Sequence, residues 1–184
     1  ICEPCASCGV RCCNRFAVPV SGFDIIRICR VVGLKPQEFA HLADAKNIED
    51  APHSKVFIFM EGKLSERLLT LKRKNNMYCV FSLNSKGCAV WGAHPLVCRA
   101  YPFVHDEKEG IGYAKNFVCP RKWGNEEYER ETAKKNAGRR DFEIGEYNKI
   151  VRKWNATLAK LGNENAFWKF LIKESGNKTD EFAD

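Results

Sequence analysis

Five cysteines crowd the first thirteen residues: Cys2, Cys5, Cys8, Cys12 and Cys13, spaced C-x2-C-x2-C-x3-C-C. Gaps of two residues let a backbone wrap tightly around one point and aim several sulfurs inward. Thiolates in that arrangement suit soft metals, as an iron–sulfur cluster or as zinc. The residue types therefore predict a metalloprotein before any element is placed.

A second, wider set follows: Cys79, Cys88, Cys98 and Cys119. Each lies in a turn or at a strand end, where a sulfur can leave the core. Four thiolates make one complete tetrahedral set. The first four spacings of the N-terminal run match the C-x2-C-x2-C-x3-C run of bacterial ferredoxins, with Cys13 where that run has proline. Cys119-Pro120 does carry the proline. Adjacent sulfurs diverge, so Cys12 and Cys13 can reach two metals. Nine candidate ligands leave room for two four-ligand centres, with Cys2 the spare. Neither set is an ordered loop by itself, and ordering the first needs a metal to offset its entropy. The two sets are therefore expected to meet in space. Cys29 stands apart on the apolar face of a helix, as a small buried hydrophobe.

Other chemistries fit less well. Cys8-x3-Cys12 begins the C-x3-C-x2-C pattern of radical enzymes, but Arg15 stands where the third cysteine belongs. No Gly-rich phosphate loop is present. His41, His53, His94 and His105 lack paired spacing and read as surface or turn residues. His94 and His105 flank Cys98 and are the only plausible histidine ligands. Arg99 follows a candidate ligand. It is either an ordinary surface arginine or a guanidinium that offsets thiolate charge and donates to sulfur.

The elements that must position these residues read as follows. Residues 1–20 form a cysteine-rich loop. Ser21-Gly-Phe-Asp24 is a capping box that starts a helix, which Gly33 ends. Pro36 opens a second short helix through Phe39 and Leu42. Val56–Met60 is a strand, turned at Glu61-Gly62 into another that ends near Leu71. Tyr78–Phe81 and Cys88–Trp91 form a pair across the turn 84–87. His94–Arg99 is a helical turn, and Ile111–Lys115 a further strand. From Asn125 onward the pattern is helical. Phe142, Tyr147, Ile150, Val151, Trp154, Leu158 and Leu161 make an apolar stripe, which ends at Gly162. Phe167, Trp168, Phe170 and Leu171 mark a last helix, and the tail beyond Ser175 is polar. The fold class is α+β: a small antiparallel sheet across residues 56–117 with cysteine-rich loops, flanked by N-terminal and C-terminal helices. The helix at 140–161 should pack on the sheet through Trp154 and Leu158. The organisation read from this is a metal-binding unit over 1–123, a helical extension over 124–175 in the same globule, and a tail over 176–184.

Composition narrows the class. The chain has 184 residues, of which 45% are hydrophobic, so it can bury a core without staples. Ten bunched cysteines in such a chain therefore favour metal over disulfides. The formal charge of +7 counts every cysteine as neutral. Eight metal-bound thiolates around two divalent centres would reduce it to about +3. The basic residues are scattered as well, so nucleic acid is not the expected partner. No stretch reads as a transmembrane helix or a secretory signal. A reducing cytoplasm is the expected location.

Several segments resemble one known family. Cys79-Val-Phe-Ser-Leu, Gly87-Cys88-Ala-Val-Trp and His94-Pro-Leu-Val-Cys98-Arg99-Ala-Tyr101-Pro102-Phe103 are similar to the signature of the YkgJ-type cysteine-cluster proteins. So are the N-terminal run with its cysteine pair, Val20-Ser-Gly-Phe-Asp24-Ile-Ile-Arg-Ile, Leu34-Lys-Pro-Gln-Glu-Phe39 and Phe117-Val-Cys119-Pro120. The resemblance covers about residues 5–123. The departures are three residues between Cys8 and Cys12 where the family commonly has two before its cysteine pair, His94 in place of an arginine, and Cys2 as an addition. The family is described as zinc- or iron-chelating, or as containing iron–sulfur clusters, and includes flagellin lysine N-methylases. The resemblance implies that Arg99 lies beside the metal site and that Tyr101, Pro102 and Phe103 pack around it. The function expected is an iron–sulfur protein, [4Fe–4S] in one or two copies, with a redox or cluster-assisted catalytic role. Methyl transfer to a protein lysine is one such role, and a protein is the expected partner or substrate. The alternative is a zinc-stabilised binding module without a reaction of its own.

Overall fold

The computed structural model describes residues 12–48, 51–75, 77–83, 87–105, 110–115, 117–119, 127–157 and 162–177. Cys2, Cys5, Cys8, the tip of the 84–87 turn, Leu158, Leu161 and the tail beyond 177 lie outside these residues.

Local chemistry accounts for the first elements. Helix α1 (Cys12–Arg15) is a single turn carrying the cysteine pair. Helix α2 (Gly22–Val32) starts at the expected capping box: the Ser21 hydroxyl accepts the Asp24 N–H, and the Asp24 carboxylate accepts the Ser21 N–H. Gly33 ends α2 at φ 68°, where a side chain would be strained. Pro36 opens helix α3 (Pro36–Phe39).

The expected extension of this helix through Leu42 does not occur. Ala40–Asp44 is strand β1, paired with β3 (Lys63–Leu71) from Ala40↔Leu71 to Asp44↔Arg67. Phe39 and Leu42 fit a helical period, but Ala40 and Leu42 also alternate inward, as a strand requires. The open edge of β3 decides between the two readings. Strand β2 (Val56–Met60) completes a sheet in the order β1-β3-β2. Its hairpin turns at Glu61 and Gly62, both at positive φ, the geometry that matches strand twist. The segment after the cysteine pair docks here too: Val20 N–H donates to Leu69 O, and Leu71 N–H to Val18 O.

The remaining β structure is shorter and more divided than one sheet over 56–117. Strand β4 (Arg73–Lys74) pairs with β5 (Tyr78–Cys79). The expected pairing of Tyr78–Phe81 with Cys88–Trp91 shrinks to one bridge, Ser82↔Cys88, with Ala89 N–H donating to Phe81 O. Residues 89–91 form a turn instead. Helix α4 (Leu96–Ala100) carries Cys98 and Arg99. Strands β6 (Phe103–Val104) and β7 (Gly112–Tyr113) form a third small sheet, so β7 is shorter than expected.

Two helices close the molecule: α5 (Glu127–Thr157) and α6 (Glu164–Gly176), the latter capped by the Asn163 side chain. Tyr147, Ile150, Val151 and Trp154 form the buried stripe of α5. Phe142 does not belong to it and is 58% exposed. Trp154 is fully buried; its ring meets Phe167 edge-on at 5.3 Å and its indole N–H donates to Phe57 O in β2 at 2.8 Å. Helix α6 also presses on the start of α2, where a Cβ at Gly22 would lie 2.0 Å from Ser175 Oγ. The architecture is α+β, with the core between the three-stranded sheet and α2, α5 and α6. No helix among the described residues is long and apolar enough to cross a membrane.

Candidate metal centre

Cysteines from both runs come to one neighbourhood. Helix α1 packs against β5, which brings Cys12 and Cys13 toward Cys79. The Cys13 thiol donates to Ser82 Oγ at 3.8 Å, and Ser82 bridges to Cys88 across the strand pair. Cys98 is partly buried on α4, close enough to Cys12, Cys79 and Cys88 to feel their charge. Cys119 joins through Tyr101, which feels both Cys12 and Cys119 and whose hydroxyl accepts the Val118 N–H at 2.6 Å. Phe16, just after α1, lies 6.1 Å from the Tyr101 ring, centroid to centroid. Among the described residues no cysteine acts on Cys29; it is only partly buried, packed against the core.

The surroundings penalise metal-free thiolates. Burial pushes the Cys79 thiol up to about 11; an N–H from Phe81 opposes this, while Cys88 and Cys13 add to it. Burial likewise raises Cys88, with Cys13 contributing, and drives Cys98 far up, with Cys12, Cys79 and Cys88 contributing. Such thiols are neutral and unreactive until a cation compensates their charge. No disulfide joins two of the described cysteines. Among the described residues no three histidine, cysteine or carboxylate side chains are gathered into a ready-made ion site. Unbridged thiols from both runs, Cys79 buried and the others partly buried, nevertheless suit a soft metal in their donor chemistry.

His105 is exposed and its Nδ1 pairs with Asp141. His94 stacks on the half-exposed Trp91 at 4.7 Å, and its buried Nδ1 has no partner among the described residues. Burial, reinforced by Arg99, holds His94 down at about 4, so it is neutral. Arg99 donates from Nε to His94 O at 3.2 Å and from Nη2 to Gly92 O, bracing the turn between Cys88 and Cys98. Phe103 and Pro102 are buried beside this turn, and Phe103 stacks on Tyr113. His53 lies in a bend as expected, but it is buried rather than at the surface.

Sequence reading missed a set of charged residues behind Cys98. Asp24 is buried and accepts from Arg27 Nη2 at 2.5 Å and from Leu96 N–H at 3.0 Å. Arg27 Nη1 reaches both oxygens of Glu143 on α5, at 2.9 and 2.7 Å, and Arg139 Nε donates to the same carboxylate at 3.2 Å. Glu143 is only 1% exposed. One signal could have revealed it: Glu143 stands four residues before Tyr147, on the apolar stripe, where a carboxylate needs a partner.

A protein-family model matches residues 4–120, that of the CxxCxxCC family, described as "Putative zinc- or iron-chelating domain". The chain belongs to this family, the YkgJ-type cysteine-cluster proteins. No curated protein and no solved structure matches the chain.

Proposed function

We propose that the chain holds iron, as one or two [4Fe–4S] clusters, through thiolates of both cysteine runs. Cys5, Cys8, Cys12 and Cys13 come from the first run, with Cys2 as the spare, and Cys79, Cys88, Cys98 and Cys119 from the second. The observation that carries this reading is the gathering of buried Cys79 and partly buried Cys98 beside Cys12 and Cys13. A protein does not ordinarily collect buried thiols without bridging them unless a soft cation compensates their charge. The ferredoxin-like spacing and Cys119-Pro120 favour a cluster over zinc. So does the adjacent pair, whose sulfurs can reach different metals.

When bound, such a cluster supplies one-electron chemistry. The chain's own part is to bury the ligand sulfurs under Tyr101, Pro102 and Phe103 and to brace the Cys98 turn through Arg99. Electron transfer to a protein partner is the role this supports. Methyl transfer to a protein lysine rests on the family resemblance alone.

Anaerobic purification tests the reading. Iron with matching acid-labile sulfide, and broad absorption near ~400 nm as thiolate-held clusters show, are the expected result. Stoichiometric zinc without sulfide would leave the ligands in place and make the protein a zinc-stabilised binding module.

A further inference from the structure

Helix α4 is five residues long, and Pro95 stands at its N-cap with no side-chain oxygen to offer. The first amide of any helix lacks an intrahelical acceptor. Here that amide, Leu96 N–H, is taken by Asp24 on another helix, 72 positions away in sequence. Cys98 lies two residues further on, a partly buried thiol with Cys12, Cys79 and Cys88 for neighbours.

Asp24 could not hold this post alone. A buried carboxylate must be compensated, and its two oxygens take Ser21 N–H, Ser21 O–H, Arg27 and Leu96 N–H. Arg27 is itself held by the bidentate contact with Glu143. Helix α5 packs directly against α4, and Arg140 adds a bond to Phe103 O at 2.9 Å. Glu143 and Arg140 both lie beyond residue 120, where the family match ends.

We propose that Asp24 is a positioning residue for Cys98, acting through the Leu96 amide. Glu143 in turn positions Asp24 through Arg27, so that α5 is a working part of the cysteine site. The metal-binding arm of the test rests on the metal reading above; the thiol arm does not.

The thiol arm uses reduced, metal-free full-length protein. Alkylation of Cys98 by iodoacetamide, followed by peptide mass spectrometry, reports how often the α4 segment opens. Asp24→Asn should speed it about tenfold, the loss expected for a charge-assisted hydrogen bond. Glu143→Gln should act in the same direction but less, with Cys29 alkylation unchanged in both. Ile58→Ala is the control, since it truncates a buried side chain of β2, a strand that carries no residue of this network. If it speeds Cys98 as much as Asp24→Asn at equal loss of global stability, the proposal is overturned. Should Asp24→Asn fail to fold, Glu143→Gln carries the test, because it keeps the Asp24 carboxylate and weakens only the hold on Arg27 that positions it.

The second arm uses cobalt(II) as the probe. Thiolate-to-cobalt absorption in wild type, with about tenfold weaker uptake in Asp24→Asn, supports both readings. Wild-type cobalt affinity and spectrum in a folded Asp24→Asn, with Cys98 alkylation unchanged, overturns the positioning role alone. No uptake by wild type, with Cys98 still responding to Asp24→Asn, overturns the metal reading and supports the positioning role.

Discussion

Cys13, from the N-terminal run, lies 3.8 Å from Ser82, Sγ to Oγ, and Ser82 pairs directly with Cys88 of the second set. The contact spans 69 positions of sequence and joins the two cysteine sets in the folded chain. Cys12→Ser and Cys13→Ser should therefore each lose roughly half of the bound iron, because a hydroxyl is a poor ligand for a soft metal. Metal and sulfide analysis of anaerobic material checks this. Full metal content in both variants would contradict the proposed centre.

No described cysteine acts on Cys29, and its partly buried side chain packs on the core. Cys29→Ala should leave metal content and absorption unchanged and cost about 1 kcal/mol, as a small truncation in a packed region does. A drop in metal per protein would place Cys29 in the site.

Trp154 fills the space between α5, α6 and the sheet and holds the Phe57 carbonyl. Trp154→Ala should lower stability by ~3–5 kcal/mol. Trp154→Phe keeps most of the packing and should cost less, leaving chiefly the unpaired carbonyl. Urea unfolding of both variants, under identical metal loading, measures the two losses. Equal losses would mean that packing matters less than the hydrogen bond.

His53 gives the fold a pH dependence. Burial holds it at about 4 against an ordinary 6.5; Arg140 pushes in the same direction and Asp24 opposes. Its ring lies against Tyr147, and neither ring nitrogen has a partner among the described residues. A depressed folded-state value means that stability is fully present above pH 6.5. It is lost as pH falls toward 4 and levels off below, by up to about 3 kcal/mol for this residue. His94 adds a loss of the same sign in the same window. Urea midpoints measured from pH 7 to 4 should therefore fall less steeply in His53→Leu than in wild type. Parallel curves would show that His53 takes up its proton at the same pH in both states.

Much of this protein is determined by short stretches of its own sequence. Ser21 and Asp24 cap α2 because three residues is the spacing at which two side chains can exchange amide bonds. Gly33 stops that helix because only glycine takes the left-handed turn freely. Glu61-Gly62 sets the β2–β3 hairpin, and the cysteine spacing states the chemistry of the site. Tertiary structure decided the rest. Ala40–Asp44 fits a helix or a strand by pattern, and only the edge of β3 makes it a strand. Phe142 falls on the helical period, yet nothing packs over it enough to bury it. Asp24 reads as a cap, but its second role depends on Leu96, and that of Arg27 on Glu143, 116 positions away. Contacts of that range leave no periodicity in sequence, because burial and charge pairing act between whole elements after they have formed.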